Sequence, residues 1–361
     1  MKIHSSYPGG NIKVVKIEEN TVYLEQDIRD TGEWWFYWNF CIEGAAGKTL
    51  HFSFVNGEVI GCQGPAVSHD GIGWRFLGKE YFESHTAFTY AFGSGENKMY
   101  FAFAIPYQLS HFRQFTEKHT LTSETLTVSE GGRPVPLLVL GNRDVKNHIL
   151  LTGRHHACES SAAYVIEGFI TALLQKGQNI LNRYCFHIIP FIDIDGVENG
   201  DQGKSRMPHD HNRDYGENPI YASVRAVKEY VKNKNIVAAV DFHSPYKWCG
   251  ENDYCFFVKP PSPGKEMTEE LGELLAEITM NRKDAGKLNY CPEQAMESGL
   301  NWNQTDTPTF SNHLRSQGAA LSFTFEITYF GGEEGGLFSV DSGRSFGEDF
   351  YGALTEYLNK K

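Results

Sequence analysis

The chain has 361 residues, of which 40% are hydrophobic and 22% are charged, and its formal net charge at neutral pH is −12. This length accommodates two domains with substantial cores. The acidic charge argues against nucleic acid and anionic membranes as main partners. No window approaches the roughly 18 consecutive apolar residues that a membrane-spanning helix needs.

The cysteines and the N-terminus indicate in which cellular compartment we expect the protein. The first ten residues lack the apolar core of a signal peptide. The seven cysteines are an odd number and include no Cys-x-x-Cys pair, which fits neither a disulfide framework nor a zinc knuckle. We therefore expect reduced thiols and a cytoplasmic protein.

Residues 1–105 predict an all-β sandwich domain, because short runs rich in aromatic and β-branched residues recur between turn residues. The aromatic cluster at residues 34–38 has two readings. It could line a carbohydrate or peptide groove, but such a stripe is more often sandwich core, since aromatic residues favour half-buried strands. The predicted strands are residues 12–17, 21–24, 34–42, 50–55 and 99–104.

Residues 106–123 predict a connecting segment, with a helix over residues 106–115. From residue 124 to residue 361, apolar runs alternate with helical patterns, which predicts βαβ units and a largely parallel sheet. The predicted strands of this domain are residues 148–153, 184–192, 236–242 and 321–325. Its predicted helices are residues 160–175, 220–233, 264–282 and 345–358.

Three candidate metal ligands, together with a further glutamate, lie at the ends of three predicted strands. His156 and Glu159 come after the first, His243 closes the second, and Glu326 follows the third. Because open α/β sheets bind ligands beyond the carboxyl ends of their strands, we expect these side chains to meet at one edge. Two imidazoles and one carboxylate are the ligand set of a catalytic zinc that leaves a fourth position open.

A polar loop follows the strand predicted over residues 184–192, and it holds Arg206, Asn212 and Arg213. Charge-rich loops are usually solvated. Here the preceding strand belongs to the same predicted sheet, so the arginines can face the metal.

His209, His211 and Asp214 of the same loop form a competing metal cluster. Two histidines separated by one residue would compete with Asn212 and Arg213 for the same space. If these histidines do not bind a metal, we expect them to be solvated or to contact the residues that do.

The order of these motifs resembles the M14 zinc carboxypeptidases: His-x-x-Glu, then Asp-x-Asn-Arg, then a histidine after a strand, and Phe-Glu near the end. The front domain, with residues 34–40 and Trp74-Arg75-Phe76, resembles the domain that precedes the peptidase in the cytosolic carboxypeptidase branch. The resemblance implies an α/β fold, with a mixed, largely parallel sheet and helices on both faces, after an all-β sandwich domain. It also implies one zinc ion per chain and a peptide or protein C-terminus as substrate.

By the same resemblance, His156, Glu159 and His243 would bind zinc. Asp210 would be the carboxylate that orients a ligand imidazole and raises its basicity. The family commonly has Pro-Gly between the first two ligands, where this chain has Ala157-Cys158.

The resemblance also implies the residues that act on the substrate. Asn212 and Arg213 would hold its terminal carboxylate. Arg206 would face the scissile carbonyl and stabilise the oxyanion. Glu326 would be the general base for a metal-activated water. The tyrosine that anchors substrate in secreted relatives is unassigned, because none lies between Tyr290 and Tyr329.

We therefore expect a zinc metallocarboxypeptidase that hydrolyses the C-terminal peptide bond of peptides or proteins. One alternative keeps the metal site but makes the protein an amidohydrolase, or deacylase, for an N-acyl amino acid or a cell-wall peptide. Another is a non-catalytic binding module, which the retention of Glu159, His243 and Glu326 argues against.

Overall fold

The structure is a computed structural model that describes residues 1–33, 35–283 and 287–361. Trp34, which belongs to the aromatic cluster and to the strand predicted over residues 34–42, lies outside the described residues. No helix in these ranges is both long enough and apolar enough to cross a membrane.

The front part of the chain forms two β-sheets. In the described residues, one sheet has the strand order β1-β4-β9-β6-β7 and the other has the order β2-β3-β5-β8, with these bounds: β1 (Lys2–His4), β2 (Lys13–Glu18), β3 (Thr21–Glu25), β4 (Asn39–Glu43), β5 (Thr49–Phe54), β6 (Ala66–Ser68), β7 (Arg75–Phe76), β8 (Ala87–Ala91) and β9 (Lys98–Ala102). Neighbouring strands are antiparallel, except that β3 and β5 are parallel.

The two front sheets pack face to face over an aromatic core. Along β5, Leu50, Phe52 and Phe54 are buried and alternate with more exposed residues, as expected for a strand with one face inward. Phe52 meets Phe101 of the opposite sheet with their ring centroids 5.6 Å apart. The predicted sandwich is therefore confirmed.

The strand predicted over residues 34–42 begins only at Asn39. The backbone N–H groups of Phe36 and Tyr37 donate to the side-chain oxygen of Gln202, at 3.2 and 3.0 Å, and this contact takes the place of pairing with a neighbouring strand. Phe36 and Trp38 are fully buried in the sandwich core, so the core reading of the aromatic cluster holds for them.

The rest of the chain is built on one large sheet, whose strand order in the described residues is β10-β11-β13-β12-β14-β16-β15. β12 is parallel to β13 and β14, and β14 is parallel to β16, whereas the outer pairs are antiparallel. The strands are β10 (Glu124–Val128), β11 (Pro134–Leu140), β12 (Asn147–Gly153), β13 (Tyr184–Ile189), β14 (Asn235–His243), β15 (Phe256–Val258) and β16 (Leu321–Glu326), and a hairpin of β17 (Gly331–Gly332) and β18 (Gly336–Leu337) follows.

Helices cover both faces of the large sheet. They are α1 (Leu109–Lys118), α2 (Ser161–Lys176), α3 (Gln178–Leu181), α4 (Ile194–Asn199), α5 (Ala222–Val231), α6 (Gly264–Asn281), α7 (Phe310–Ser316) and α8 (Val340–Lys360). On one face, the Ser322 hydroxyl of β16 donates to the Ser311 carbonyl of α7 at 3.1 Å. On the other face, Phe325 of β16 packs against Phe350 of α8. This is the predicted mixed, largely parallel α/β sheet.

The predicted helices match α2, α5, α6 and α8 to within a few residues, except that α8 begins at Val340, five residues before the predicted start. Its first turn is stabilised by a capping box, in which the Ser339 hydroxyl accepts from the Ser342 backbone N–H. The strand predicted to reach residue 192 ends at Ile189.

Helices α2 and α8 approach each other very closely. A Cβ atom on Gly168 would lie 1.8 Å from the Arg344 carbonyl oxygen, and one on Gly347 would lie 2.0 Å from the Val165 carbonyl oxygen. Only glycine fits at both positions, and the two helix backbones are in direct contact there.

Candidate active site

Three parallel strands deliver polar side chains to one edge of the large sheet. β12, β14 and β16 all end there, and we name it the carboxyl edge. His243 and Glu326 are the last residues of β14 and β16 and are paired in register. His156 and Glu159 lie in the loop between β12 and α2. The convergence expected from the sequence is present in the structure.

The three candidate metal ligands face one another through their donor atoms. Nδ1 of His156 lies 2.9 Å from Glu159 Oε1, and Nδ1 of His243 lies 2.8 Å from Glu159 Oε2. The two Nδ1 atoms are 3.2 Å apart, and one donor atom from each residue lies within 4.8 Å of the others. This is the spacing that one shared cation requires.

A carboxylate stands behind each imidazole. Asp210 Oδ1 lies 3.5 Å from His156 Nε2, and Asp241 Oδ2 lies 2.7 Å from His243 Nε2. Such partners fix the ring orientation and raise the basicity of the nitrogen that faces the metal. Asp241 was not predicted. Its signal was its position two residues before His243, which places both side chains on one face of the strand.

The charges of the cluster shift the pKa values of its members. Burial lowers the pKa of His243, but Asp241 and Glu159 outweigh it and raise this pKa well above its usual range. Burial raises the pKa of Glu159, but Lys204 and the two histidines outweigh it and hold this pKa well below its usual range. The carboxylates thus favour a cation at the point where the donor atoms meet.

Glu326 is buried beside these residues and is only 4% exposed. Its Oε2 atom is buried and has no hydrogen-bond partner among the described residues. Burial raises the pKa of this carboxyl to about 7, and Glu159 adds to the rise, whereas His243 opposes it. A buried carboxylate oxygen without a partner is costly, so this atom is suited to contact a water molecule, an ion or a substrate group.

The cluster opens into a cavity of about 630 Å³. Asn212 and Arg213 line this cavity, as do Glu326 and the candidate ligands. The Asn212 amide nitrogen lies 3.1 Å from His243 Nε2, and its oxygen accepts from the Phe310 N–H of α7 at 3.0 Å. Arg213 forms no ion pair with a carboxylate of the described residues, so its guanidinium is available to an anion.

Arg206 does not line the cavity, and the structure corrects its predicted role. Its guanidinium is held by three carboxylates, at 2.6 Å from Asp193 Oδ2, 2.7 Å from Asp30 Oδ2 and 3.1 Å from Asp201 Oδ2. These ion pairs hold the guanidinium outside the set of residues that line the cavity, which argues against the predicted role at a scissile carbonyl.

Lys204, two residues earlier in the same loop, is the cation that reaches the cluster. Its Nζ lies 2.8 Å from Glu159 Oε1 and donates to the carbonyls of Ser244 and Pro245 at 2.8 and 2.9 Å. The side chain lines the cavity. Burial lowers the pKa of Lys204, but Glu159 outweighs it and raises this pKa, so the ammonium stays charged.

A second unpredicted cation, Arg315 of α7, lies in the cavity wall. It donates to the Ser322 carbonyl at 3.1 Å and to the Asn312 side chain. No described carboxylate forms an ion pair with it, and burial lowers its pKa to about 10. Such a guanidinium could be expected only from the fold, since nothing in the local sequence of α7 singles it out.

Aromatic side chains border the cavity mouth. Trp35 of the front domain and Tyr246, in the loop after β14, both line the cavity and meet edge to face with ring centroids 5.3 Å apart. The groove reading of the aromatic cluster therefore applies to Trp35. Tyr246 is 49% exposed and supplies a phenol to the lining of the cavity, as Trp302 supplies an indole.

The competing cluster does not form in the described part of the chain. His209 Nε2 lies 2.7 Å from Asp214 Oδ1, but His211 stacks on Tyr221 with ring centroids 3.7 Å apart. The ligand atoms of the three candidate residues do not converge on a common point.

Two family models match the chain, one after the other. The cytosolic carboxypeptidase N-terminal domain matches residues 3–104, and the zinc carboxypeptidase family matches residues 109–223. The chain belongs to the M14 zinc carboxypeptidases. These enzymes hydrolyse peptide bonds, and the front domain assigns the chain to their cytosolic carboxypeptidase branch.

Named relatives agree with this assignment. Cytosolic carboxypeptidase 2 of Xenopus tropicalis is 22% identical over 331 residues, which cover 80% of this chain and 33% of the relative. Cytosolic carboxypeptidase 6 of Caenorhabditis elegans is 26% identical over 275 residues, covering 65% of this chain and 60% of the relative. The chain thus spans from about a third to three fifths of the length of these two proteins.

A solved structure shares the whole fold. The metallo-carboxypeptidase from Pseudomonas aeruginosa aligns over 99% of both chains with a TM-score of 0.79 at 20% sequence identity. The two-part architecture is therefore common to both proteins.

Proposed function

We propose that this protein is a zinc-dependent metallocarboxypeptidase that hydrolyses the C-terminal peptide bond of peptides or proteins. The observation that carries the proposal is the convergence of His156, Glu159 and His243 within 4.8 Å of one another, in a cavity that also contains Glu326 and Arg213.

The residues at the carboxyl edge fit one zinc ion per chain. Two Nδ1 atoms and one carboxylate match the ligand set of a catalytic zinc, with Asp210 and Asp241 as their orienting partners. The partnerless Glu326 Oε2 supports a further ligand there. When bound, zinc supplies a Lewis acid and lowers the pKa of a water molecule.

Glu326 is our candidate for the general base. A base works best when its pKa lies near the operating pH, and burial brings the pKa of Glu326 to about 7. In this proposal its carboxylate takes a proton from the attacking water and donates it to the leaving amine. The register pairing with His243 holds it at the correct side of the cluster.

Arg213 and Asn212 would hold the free carboxylate of the substrate. The planar guanidinium of an arginine suits a bidentate grip on a carboxylate. Arg213 lines the cavity without a carboxylate partner among the described residues, and Asn212 lies beside it. The requirement for a free C-terminus would follow from this contact.

Lys204 takes over the role that the sequence assigned to Arg206. The oxygen of a scissile carbonyl becomes negative as water adds, and a fixed cation stabilises that charge. Two backbone carbonyls hold the Lys204 ammonium in the cavity, and the N–H that faces Glu159 Oε1 at 2.8 Å is the one that would turn to the oxyanion.

Arg315 supports a preference for an acidic C-terminal residue. Its guanidinium lies in the cavity wall near Ser311 and Asn312, and no described carboxylate neutralises it. Burying a charge without a counterion costs free energy, and a carboxylate side chain of the substrate would supply the missing charge.

The test is hydrolysis by the zinc-loaded full chain of matched peptides that end in Glu, Gln, Leu or Lys, with an amidated copy of the Glu peptide. We expect release of the last amino acid from the free Glu peptide at the highest kcat/KM, and little from the amidated copy. Arg213→Ala should raise KM and reduce that difference, whereas Arg225→Ala, outside the cavity on α5, should not.

Other outcomes would replace the proposal. Faster hydrolysis of N-acetylglutamate than of any peptide would favour the amidohydrolase reading. Zinc bound at one per chain without hydrolysis of either class would favour a binding module.

We also propose the domain limits 1–105, 106–123 and 124–361, with a cytoplasmic location. Because Trp35 of the front domain lines the cavity, the first two predicted segments should not be removable without loss of activity. A shortened chain that starts near Ser123 and retains full activity would contradict this arrangement.

A further inference from the structure

A second group of metal-ligating side chains lies at the opposite end of the large sheet, which we name the amino edge because β12 and β13 begin there. His148 is the second residue of β12, and Cys185 and His187 are the second and fourth of β13. All three are buried, with exposed fractions of 8%, 0% and 2%. None of them belongs to the cavity described above.

The strand register places the three side chains on one face. His148 is the direct neighbour of Cys185 in the parallel pairing, and His187 lies two residues farther along β13. Side chains alternate between the faces of a strand, so Cys185 and His187 point the same way. One donor atom from each residue lies within 4.8 Å of the other two.

The hydrogen bonds leave one nitrogen of His187 facing this group. Its Nδ1 lies 2.8 Å from the Tyr230 hydroxyl of α5, and its Nε2 lies 2.9 Å from His148 Nδ1. When Nδ1 donates to the hydroxyl, Nε2 carries a lone pair that accepts from His148 Nδ1–H, and a metal ion that replaces this proton would bind both nitrogens. A partner on the far nitrogen is the usual way in which proteins orient a ligand imidazole.

We propose that His148, Cys185 and His187 bind a second metal ion, a soft monovalent cation of the copper(I) type, at the amino edge. Two imidazoles with one thiolate form a three-coordinate set of soft donors. Metal–donor bonds of about 2.0–2.3 Å require donor atoms roughly 3–4 Å apart, and the three donor atoms lie within 4.8 Å of one another here.

The local charge favours a monovalent over a divalent ion. Burial raises the pKa of the Cys185 thiol, and positive charge from Arg143 and Lys234 counters part of this rise. Lys234 Nζ lies 3.7 Å from the Tyr230 ring centroid. Copper(I) with one thiolate is neutral, whereas zinc(II) with one thiolate would leave a net positive charge near the Lys234 ammonium, since Arg143 is already paired with Glu124.

The test is an anaerobic titration of the zinc-loaded full chain with copper(I) against a competing chelator. We expect about one copper per chain, with zinc content and peptide hydrolysis unchanged. Cys185→Ser and His148→Gln should each lose this copper. Cys255→Ser, another buried cysteine, and Cys41→Ser, near His4 and Glu43, should retain it.

X-ray absorption by the copper of the wild-type protein gives a readout that does not depend on the folding of any variant. One sulfur and two imidazole nitrogens around the copper would support the site. A spectrum without sulfur, or equal copper in wild type and Cys185→Ser, would overturn the proposal. The catalytic assignment would be unaffected by either result.

Discussion

The two edges of the large sheet both collect histidines, but the surroundings of the imidazoles differ. At the carboxyl edge, His243 contacts Asp241 and His156 contacts Glu159, at 2.7 and 2.9 Å. At the amino edge, His148 contacts another imidazole, that of His187, and no described carboxylate forms an ion pair with either. The strand ends therefore place the imidazoles, while the presence or absence of neighbouring carboxylates sets the charge of each site.

That difference determines which ion each edge can hold. The carboxylates of the carboxyl edge raise the pKa of His243, whereas burial lowers the pKa of His187 to about 3 at the amino edge. Carboxylate and imidazole together suit a divalent zinc ion, and uncharged imidazoles with sulfur suit a softer ion. The following variants test whether the carboxyl edge owes its chemistry to its charged groups.

The largest effect is expected at Glu326. Glu326→Gln keeps the shape of the side chain but removes its basicity, so kcat should fall by roughly 10²–10⁴. Zinc content should be unchanged, because Glu326 is not one of the three converged donors. Steady-state kinetics with metal analysis measures both. Glu251→Gln, on the same cavity wall, is the matched control and should stay near wild type. Full turnover by Glu326→Gln would assign the base elsewhere.

A somewhat smaller effect is expected at Lys204. Lys204→Met should lower kcat by roughly 10²-fold, as for the loss of one oxyanion donor, and Lys204→Arg should restore part of it. Arg206→Met should instead destabilise the fold by about 3–5 kcal/mol, because it leaves the buried Asp193 carboxylate without its cation, whereas Asp201 keeps Arg29. Kinetics and urea unfolding separate the two. The reverse pattern would reinstate Arg206 as the oxyanion residue.

Asp241 gives a third and smaller effect, on metal affinity. Asp241→Asn keeps hydrogen bonding but removes the charge behind His243, and zinc affinity should fall by roughly 10–100-fold. Competition with a chromogenic chelator measures this change. Asp253→Asn, a carboxylate away from the cluster, serves as control. Unchanged affinity in Asp241→Asn would mean that the carboxyl edge does not depend on this charge.

The smallest effect is expected at Arg315. Arg315→Met should lower kcat/KM for a peptide ending in Glu by roughly 10–100-fold and leave a peptide ending in Gln nearly unchanged, since only the charge–charge contact is lost. Arg225→Met, on the surface of α5, is the comparison. An equal loss for both peptides would show that Arg315 supports the cavity wall and does not select the substrate.

The residues at the carboxyl edge could be predicted because an apolar run that ends in a polar residue indicates a strand and shows where that strand ends. His156, Glu159, His243 and Glu326 could be placed together on that basis alone. Asp241 was accessible to the same reasoning through the two-residue alternation of β14, but it was hidden within an apolar run.

The loop before α5 could not be predicted in this way. Arg206 and Lys204 are two residues apart, and sequence spacing does not show which one turns inward. The choice is made by Asp30, Asp193 and Asp201, two of which come from outside that loop segment. Likewise, the first part of the strand expected over residues 34–42 does not form, because its backbone N–H groups donate to Gln202, which lies far along the chain.

The close contact of α2 with α8 has a consequence for natural variation in this protein. α2 begins two residues after Glu159, so a shift of that helix would move Glu159, one of the proposed metal ligands. At Gly168 a single methyl group would lie 1.8 Å from the Arg344 carbonyl oxygen, and the helix would have to shift to make room. A Gly168→Ala allele, which looks conservative and lies more than two helical turns from any polar residue of the site, should therefore behave in a survey of natural variants as a loss-of-activity allele.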